Sequence, residues 1–329
     1  MKILAIDTGF SSCKVYYVNE QGIPQFDKYA SIIGKLENVV EVNDENMFFF
    51  NGAPYYLFET ALRLPNKQIL DMSSYEGLRE AAPVFLSYLL KKYGSSFDKI
   101  VIGLSLAMVD KAEDFLEYIS SQLMMDRDMF MLLPQGTSSK ACITTYGLDP
   151  RDSTRRNDVQ SRAYLACNIG SNTADFFTVI NNTTSSQATR GFENAGLVQV
   201  AFNLIDKIRK DTGKEINLQK AKTIVDTGVY TSRGRSVDYS ATIKTLTLEY
   251  FTRFFELIEQ NFGEQLETMD NLFICGGGAV LLKKYLKELT PMIERHFPVD
   301  YLLLPNDLAE FYDVVGYSII AEKILNRKQ

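Results

Sequence analysis

Two short segments of this chain combine glycine with hydroxyl-bearing and charged residues, and each follows an apolar run that predicts a β-strand. The first follows residues 2–6 and consists of Asp7, Thr8, Gly9, Phe10, Ser11, Ser12, Cys13 and Lys14. The second follows residues 165–167 and consists of Asn168, Ile169, Gly170, Ser171, Asn172, Thr173, Ala174 and Asp175. In such turns backbone N–H groups can converge on anionic oxygens, and Ser and Thr hydroxyls add donors. Both segments therefore predict phosphate-binding turns.

A third turn, residues 276–278, consists of glycine, follows a predicted strand at 272–275 and opens an apolar helical pattern. The first N–H groups of a helix are unpaired, which suits a phosphate or the polar edge of a nucleoside. Asp7 can hold Mg²⁺ through its water shell, and Lys14 can reach the phosphates as a point charge. Each turn alone also fits an ordinary turn, but their joint order predicts one nucleotide held between two related halves.

Strands and helices that alternate along the chain must position these turns. Further strands are predicted at 99–105 and 129–133. Helices are predicted at 76–93, 110–124, 196–210, 218–227, 237–262 and 313–325, and a short helix is predicted to end at about 146. Pro83 predicts an interruption of its helix, and Asp110 with Glu113 predicts a capping box. Asn194 and Asn217 are predicted N-caps. The alternation predicts a partly parallel sheet covered by helices, with ligands at the strand ends.

Composition favours a cytoplasmic α/β protein of two domains. The chain has 329 residues, 46% of them hydrophobic, and a formal net charge of −6, which disfavours direct binding to nucleic acid. We expect no membrane span and no signal peptide, because apolar runs are short and the first residues enter a strand. The four cysteines are far apart and predict packing rather than metal binding. A single histidine, His296, disfavours mechanisms that need a histidine base.

On residues 6–14, 168–175 and 274–279, the chain resembles the superfamily of actin, hexokinase and heat-shock-chaperone ATPases. Within it, the chain is most similar to bacterial plasmid-segregation proteins of the ParM (StbA) type, also at 51–58 (NGAPYYLF), 99–110 and 313–316 (DVVG). The resemblance implies two actin-like (ribonuclease H-like) α/β domains with a nucleotide cleft between them. The expected domains are 1–160, joined by a C-terminal helix at about 311–329, and 161–310, with a boundary or exposed loop in the polar stretch 147–162.

The resemblance also implies roles for individual residues. The expected phosphate-binding residues are Thr8, Gly9, Phe10, Ser11, Ser12, Lys14, Gly170, Ser171, Asn172, Thr173 and Asp175. The expected adenosine-binding residues are Gly276, Gly277, Gly278, Gln219 and Lys222, the last two being equally compatible with a solvated helix face. Asp7, Asn168 and Gln135 are expected to be catalytic, with Gln135 orienting the attacking water. Gln135 can alternatively act only as a helix cap.

One departure concerns the second turn, where relatives usually carry Asp and this chain has Asn168. An amide brings no negative charge to Mg²⁺, so we expect nucleotide binding with slow hydrolysis. The resemblance implies polymerisation with ATP or GTP into head-to-tail filaments that segregate plasmid or other extrachromosomal DNA through a DNA-binding adaptor. A metabolite kinase or phosphatase, or a low-turnover scaffold of the division or pilus type, remains as an alternative.

Overall fold

The computed structural model describes residues 2–36, 47–72, 74–94, 96–152, 154, 159 and 162–327. Within the polar stretch that predicts a loop, residues 147–152 form turns, whereas 153, 155–158, 160 and 161 lie outside the described residues. The end of the predicted C-terminal helix, 328 and 329, also lies outside them.

The described residues form fifteen β-strands. They are β1 Ile3–Thr8, β2 Ser12–Val18, β3 Pro24–Ala30, β4 Ile33–Lys35, β5 Met47–Phe50, β6 Ala53–Leu57, β7 Lys99–Leu104, β8 Phe130–Pro134, β9 Tyr164–Ile169, β10 Thr173–Ile180, β11 Thr183–Glu193, β12 Val229–Ser232, β13 Arg235–Asp238, β14 Asn271–Cys275 and β15 Leu302–Leu303. The strands before all three glycine-rich turns were predicted from the sequence and are confirmed.

Nine α-helices lie in the same described ranges. They are α1 Tyr75–Tyr93, α2 Ala112–Leu123, α3 Thr137–Tyr146, α4 Val198–Thr212, α5 Leu218–Thr227, α6 Ser240–Leu266, α7 Gly277–Lys284, α8 Leu286–Ile293 and α9 Tyr312–Asn326. Short 3₁₀ turns connect several of them, including Leu106–Lys111 before α2.

Two five-stranded sheets repeat one topology. The first has the order β3-β2-β1-β7-β8 and the second the order β11-β10-β9-β14-β15. In each sheet the central strand pairs antiparallel with the next strand of its hairpin and parallel with a strand from later in the chain. The phosphate-turn segments form the β1–β2 and β9–β10 hairpins, so equivalent positions of two related sheets carry them.

The core is built on both faces of these sheets. One cluster lies between the first sheet and α1 and α2, and another between the second sheet and α6, α7 and α8. A third cluster joins inward-facing residues of both sheets through α3 and α9, for example Ala5, Phe177 and Tyr317. Helix α9 packs closely on α3, where a Cβ at Gly316 would lie 1.9 Å from the carbonyl oxygen of Ser138.

Several predicted element boundaries were wrong. Helix α1 continues through Pro83, because buried side chains on both sides of the proline hold it against the sheet. Asp110 does not cap α2, because the 3₁₀ turn capped by Ser105 leads directly into it. Asn194 has φ +57° and lies before a helix that starts only at Val198. The hairpin of β12 and β13 was missed, and because it occupies residues up to 238, α6 begins at Ser240 rather than at 237. The predicted N-cap Asn217 is confirmed, since its side chain accepts the Lys220 N–H.

Candidate functional site

A cavity of about 510 Å³ is lined by all three glycine-rich turns. Most residues that the sequence predicts for the site meet there. They are Asp7, Thr8, Gly9, Phe10, Ser11, Ser12, Lys14, Gln135, Asn168, Gly170, Ser171, Asn172, Thr173, Lys222, Gly276 and Gly277. Segments from both halves of the chain therefore build one site, because the equivalent hairpins of the two sheets face each other across it.

Three predicted site residues do not line this cavity. Asp175 is only 1% exposed and lies behind the second turn, where its carboxylate accepts the Ser105 hydroxyl at 3.0 Å. Burial raises the pKa of Asp175 to about 7. Gly278 packs on the second sheet, since a Cβ there would lie 2.3 Å from Ile169 Cβ. Gln219 is 3% exposed and is likewise absent from the cavity wall.

The first turn carries a buried ion pair. Lys14 Nζ lies 2.9 Å from Asp7 Oδ2, because the two residues are directly opposite in the β1–β2 hairpin. Burial is the largest single effect and works to lower the pKa of Lys14, but the carboxylates of Asp7, Glu310 and Asp313 together outweigh it, so the net pKa is raised. Gln135 Nε2 donates to Asp7 Oδ1 at 2.5 Å, so Asp7 is held from two sides. Gln135 also lines the cavity.

A second carboxylate, which the sequence prediction missed, lies beside the second turn. Asp313 accepts hydrogen bonds from Asn168 Nδ2, from Gly136 N–H at 2.9 Å and from the Ser139 hydroxyl at 2.7 Å. Burial, followed by the charge of Asp7, raises the pKa of Asp313 to about 6. Asp313 is the first residue of the 313–316 segment (DVVG), and the resemblance of that segment to the plasmid-segregation proteins was the one sequence signal near this carboxylate.

The third turn approaches the second at very short range. Gly276 has φ +81°, and a Cβ there would lie 2.2 Å from Asn168 Oδ1. Only glycine can therefore connect β14 to α7 at this position. Beyond it the cavity has an apolar wall that the sequence prediction also missed. This wall consists of Leu197, Ala201, Val225, Val280 and Leu281.

Charged residues also line the cavity. Lys222 Nζ donates to the carbonyl oxygen of Phe10 at 3.0 Å, which connects α5 to the first turn, and burial lowers the pKa of Lys222 to about 8. Near the mouth, Lys28 pairs with Glu310 at 2.6 Å. Asp226 also lines the cavity, and although its side chain is accessible to solvent, desolvation by the surrounding protein raises its pKa. Sequence reasoning missed these acids because they follow no local motif.

One buried polar atom in the cavity wall lacks a protein partner. Thr8 Oγ1 has no hydrogen-bond partner among the residues that the structure describes. A hydroxyl in this position, next to N–H groups of a glycine turn, fits an anionic oxygen of a ligand. In the same described ranges, no group of three or more His, Cys, Asp or Glu side chains could hold a metal ion. The four cysteines are buried free thiols, and His296 pairs with Glu259 outside the cavity.

None of the described helices combines the length and apolarity needed to cross a bilayer.

Comparisons with known proteins identify the fold. Residues 167–288 match a family model described as archaeal actin homologue MreB-like, C-terminal. No curated protein sequence matches the chain.

Solved structures match over almost the whole chain. A non-polymerisable quadruple mutant of pCBH ParM matches with a TM-score of 0.75 and 15% identity, over 98% of this chain and 99% of that one. The 15-stranded ParM filament from Clostridium botulinum matches with a TM-score of 0.73 and 15% identity, over the same shares. An archaeal actin homologue in complex with ADP matches with a TM-score of 0.67 and 16% identity, over 98% and 100%. The predicted two-domain, actin-like α/β fold is confirmed, and it is close to that of ParM.

Proposed function

We propose that this chain is a nucleotide-dependent, filament-forming protein of the actin-like type that hydrolyses ATP or GTP slowly. The observation that carries the proposal is the single cavity lined by three glycine-rich turns from both halves of the chain. These turns expose the N–H and hydroxyl donors that a polyphosphate requires. The ADP complex of an archaeal actin homologue of the same fold supports a nucleotide as the ligand.

The lining residues fit the parts of a nucleotide. Residues 8–12 and 170–173 would donate to phosphate oxygens from opposite sides, and Lys14 would add positive charge next to them. The apolar wall that includes Val225 and Leu281 fits the base. Lys222, already bonded to the first turn, would border the nucleoside.

We divide the chain into a first domain, 1–160 with the helix at about 311–329, and a second domain, 161–310. The packing of α9 on α3, β1 and β7 supports the return of the C-terminal helix to the first domain. A nucleotide in the cavity would contact both domains, so its terminal phosphate would favour a closed arrangement.

The oxygen-bearing side chains in the cavity fit a Mg²⁺ ion that would be bound mainly by the phosphates of the nucleotide and by water. Mg²⁺ keeps several waters and typically uses one or two carboxylates together with substrate phosphates. Asp7 would hold it through water, and the neutral Asn168 could accept a bond from another of its waters. When bound, the ion would offset negative charge on the phosphates.

Gln135 would position the attacking water. Its Nε2 donates to Asp7, which turns its amide oxygen into the acceptor available for a water molecule. An amide cannot take up a proton at neutral pH, so Gln135 would contribute orientation rather than base catalysis. Slow turnover follows from this and from the neutral side chain at position 168.

Self-association would be head to tail, since this heterologous contact grows into a helical filament. The ParM filament from Clostridium botulinum, which has the same fold, supports such assembly. We further propose that the filament segregates plasmid or other extrachromosomal DNA through a DNA-binding adaptor. The net charge of −6 supports an adaptor, because an acidic surface does not attract nucleic acid directly.

Sedimentation and light scattering with Mg²⁺ and ATP, GTP, ADP or a non-hydrolysable analogue test the proposal. We expect assembly with a triphosphate and slow phosphate release. Lys14→Met should abolish binding of a fluorescent nucleotide and assembly, because it removes the buried charge beside Asp7. Lys207→Met, which breaks only an exposed pair with Asp211, is the matched control and should behave as the native chain.

Other outcomes separate the alternatives. A native chain that binds no nucleotide would overturn the proposal. Phosphoryl transfer to a small acceptor without assembly would indicate a metabolite kinase, and assembly without phosphate release would indicate a low-turnover scaffold.

A further inference from the structure

A buried carboxylate and a buried amide meet at the floor of the cavity. Asp313 is 6% exposed and Asn168 is 7% exposed, and the Asn168 amide donates to Asp313 Oδ2. Two other donors, Gly136 N–H and the Ser139 hydroxyl, bind Oδ1 of the same carboxylate. Within the described part of the chain, no Lys, Arg or His forms an ion pair with Asp313.

The position of Asp313 is set by its own helix and by a neighbouring one. Its carboxylate lies at the N-terminus of α3, where the partial positive charge of the helix stabilises an anion. One turn later in α9, Gly316 lies so close to Ser138 that no side chain would fit between the helices. This close packing fixes the helix backbone that carries Asp313 relative to the start of α3.

We propose that Asn168 and Asp313 form one unit, in which Asp313 is a positioning residue that fixes the Asn168 amide and places a carboxylate directly behind the second phosphate turn. Asp313 is surrounded by donors, so Asn168 must present Nδ2 to it and turn Oδ1 toward Gly276. A carboxylate at 168 would meet a second carboxylate, so the pair would either hold two negative charges in contact or take up a proton to share between them. Two like charges in a buried contact are strongly unfavourable.

This unit deepens the proposed nucleotide site and rests on it. Asn168 is the penultimate residue of β9 in the second sheet, whereas Asp313 belongs to a helix that packs on the first. The negative charge therefore lies on α9, one hydrogen bond behind the strand that carries the turn. The neutral residue at 168 is a consequence of the acid at 313, and the unit joins the two halves at the cavity floor.

A reciprocal exchange tests the proposal. Asn168→Asp alone should lower the unfolding temperature of the nucleotide-free protein by about 5 °C or more. Asp313→Asn alone should also lower it, because the amide nitrogen at 313 would face Asn168 Nδ2, and Asn168 would have to turn its Oδ1 away from Gly276 to accept it. The double variant preserves every hydrogen bond with the roles reversed, so its unfolding temperature should return to within about 2 °C of the native value.

The double variant should also bind nucleotide with an affinity that depends more strongly on Mg²⁺, by about threefold to tenfold, because its carboxylate lies on β9. The control for nucleotide affinity is the exchange Asn306→Asp with Asp149→Asn, an amide-to-carboxylate contact of 3.0 Å outside the cavity, in which Asp149 also pairs with Arg151. This control should leave nucleotide affinity unchanged.

Additive losses of stability in the two single variants, with no recovery in the double variant, would overturn the proposal. So would a native unfolding temperature for Asn168→Asp. These unfolding measurements need no nucleotide, so a chain that binds none would overturn the proposed function while the coupling of Asn168 with Asp313 is still measured.

Discussion

Replacing Gly276 with alanine perturbs the closest approach between two of the three turns. The backbone there has φ +81° and ψ −175°, a region that is open essentially to glycine alone. An added Cβ would lie 2.2 Å from Asn168 Oδ1 and 2.5 Å from the carbonyl oxygen of Ile169. Carbon and oxygen atoms without a bond between them normally stay more than about 3 Å apart, so the β14–α7 turn must move.

The expected cost has two parts. Backbone strain contributes about 1 to 3 kcal/mol, and forcing a methyl group into a packed site contributes about as much again. We therefore expect Gly276→Ala to lower the free energy of unfolding by about 2 to 6 kcal/mol. Because the turn moves against Asn168, nucleotide affinity should fall about tenfold or more.

Gly213→Ala is the matched control, since Gly213 has φ +67° with nothing within 4 Å of an added Cβ. We expect it to cost only about 1 kcal/mol and to leave nucleotide affinity unchanged. Urea unfolding followed by circular dichroism measures the first quantity, and anisotropy of a fluorescent nucleotide measures the second. Equal losses of stability for the two variants, with equal affinities, would refute the steric argument.

Three further predictions concern single side chains. Gln135→Ala should slow single-turnover phosphate release about tenfold to a hundredfold and change nucleotide affinity by less than about threefold. Equal losses of rate and of affinity would contradict the role of Gln135 in positioning the attacking water. Burial raises the pKa of Asp175 to about 7, so its folded carboxyl binds a proton at higher pH than the unfolded one. The free energy of unfolding should therefore fall by up to about 4 kcal/mol between about pH 4 and pH 7. Urea titrations should show a weaker pH dependence of this free energy for Asp175→Asn, and the same pH dependence in both proteins would contradict the prediction. Lys222→Met leaves the Phe10 carbonyl without its donor, so calorimetry should show about tenfold weaker nucleotide binding. An unchanged affinity would contradict this prediction.

The local parts of the fold could be read from the sequence because short segments encode them. Gly9, Gly170 and the glycines at 276–278 mark turns after apolar runs, and the structure has a strand before each one. The predicted N-caps Asp110 and Asn194 were wrong because structure outside the local capping pattern decides where these helices begin. Helix α4 starts where the Val198 N–H meets the Ser171 carbonyl, a contact with a distant turn that overrides the local capping pattern.

The sequence by itself determined the α/β class, the repeated hairpin and the residue types offered to a phosphate, because these depend on neighbours along the chain. Only the tertiary structure decided which distant groups complete the site. Asp313 meets Asn168 from 145 positions away, and Lys222 reaches Phe10 from 212 positions away. Such pairs depend on how two sheets and the helices between them pack, and hydrophobic periodicity specifies that a face is buried without specifying what it meets.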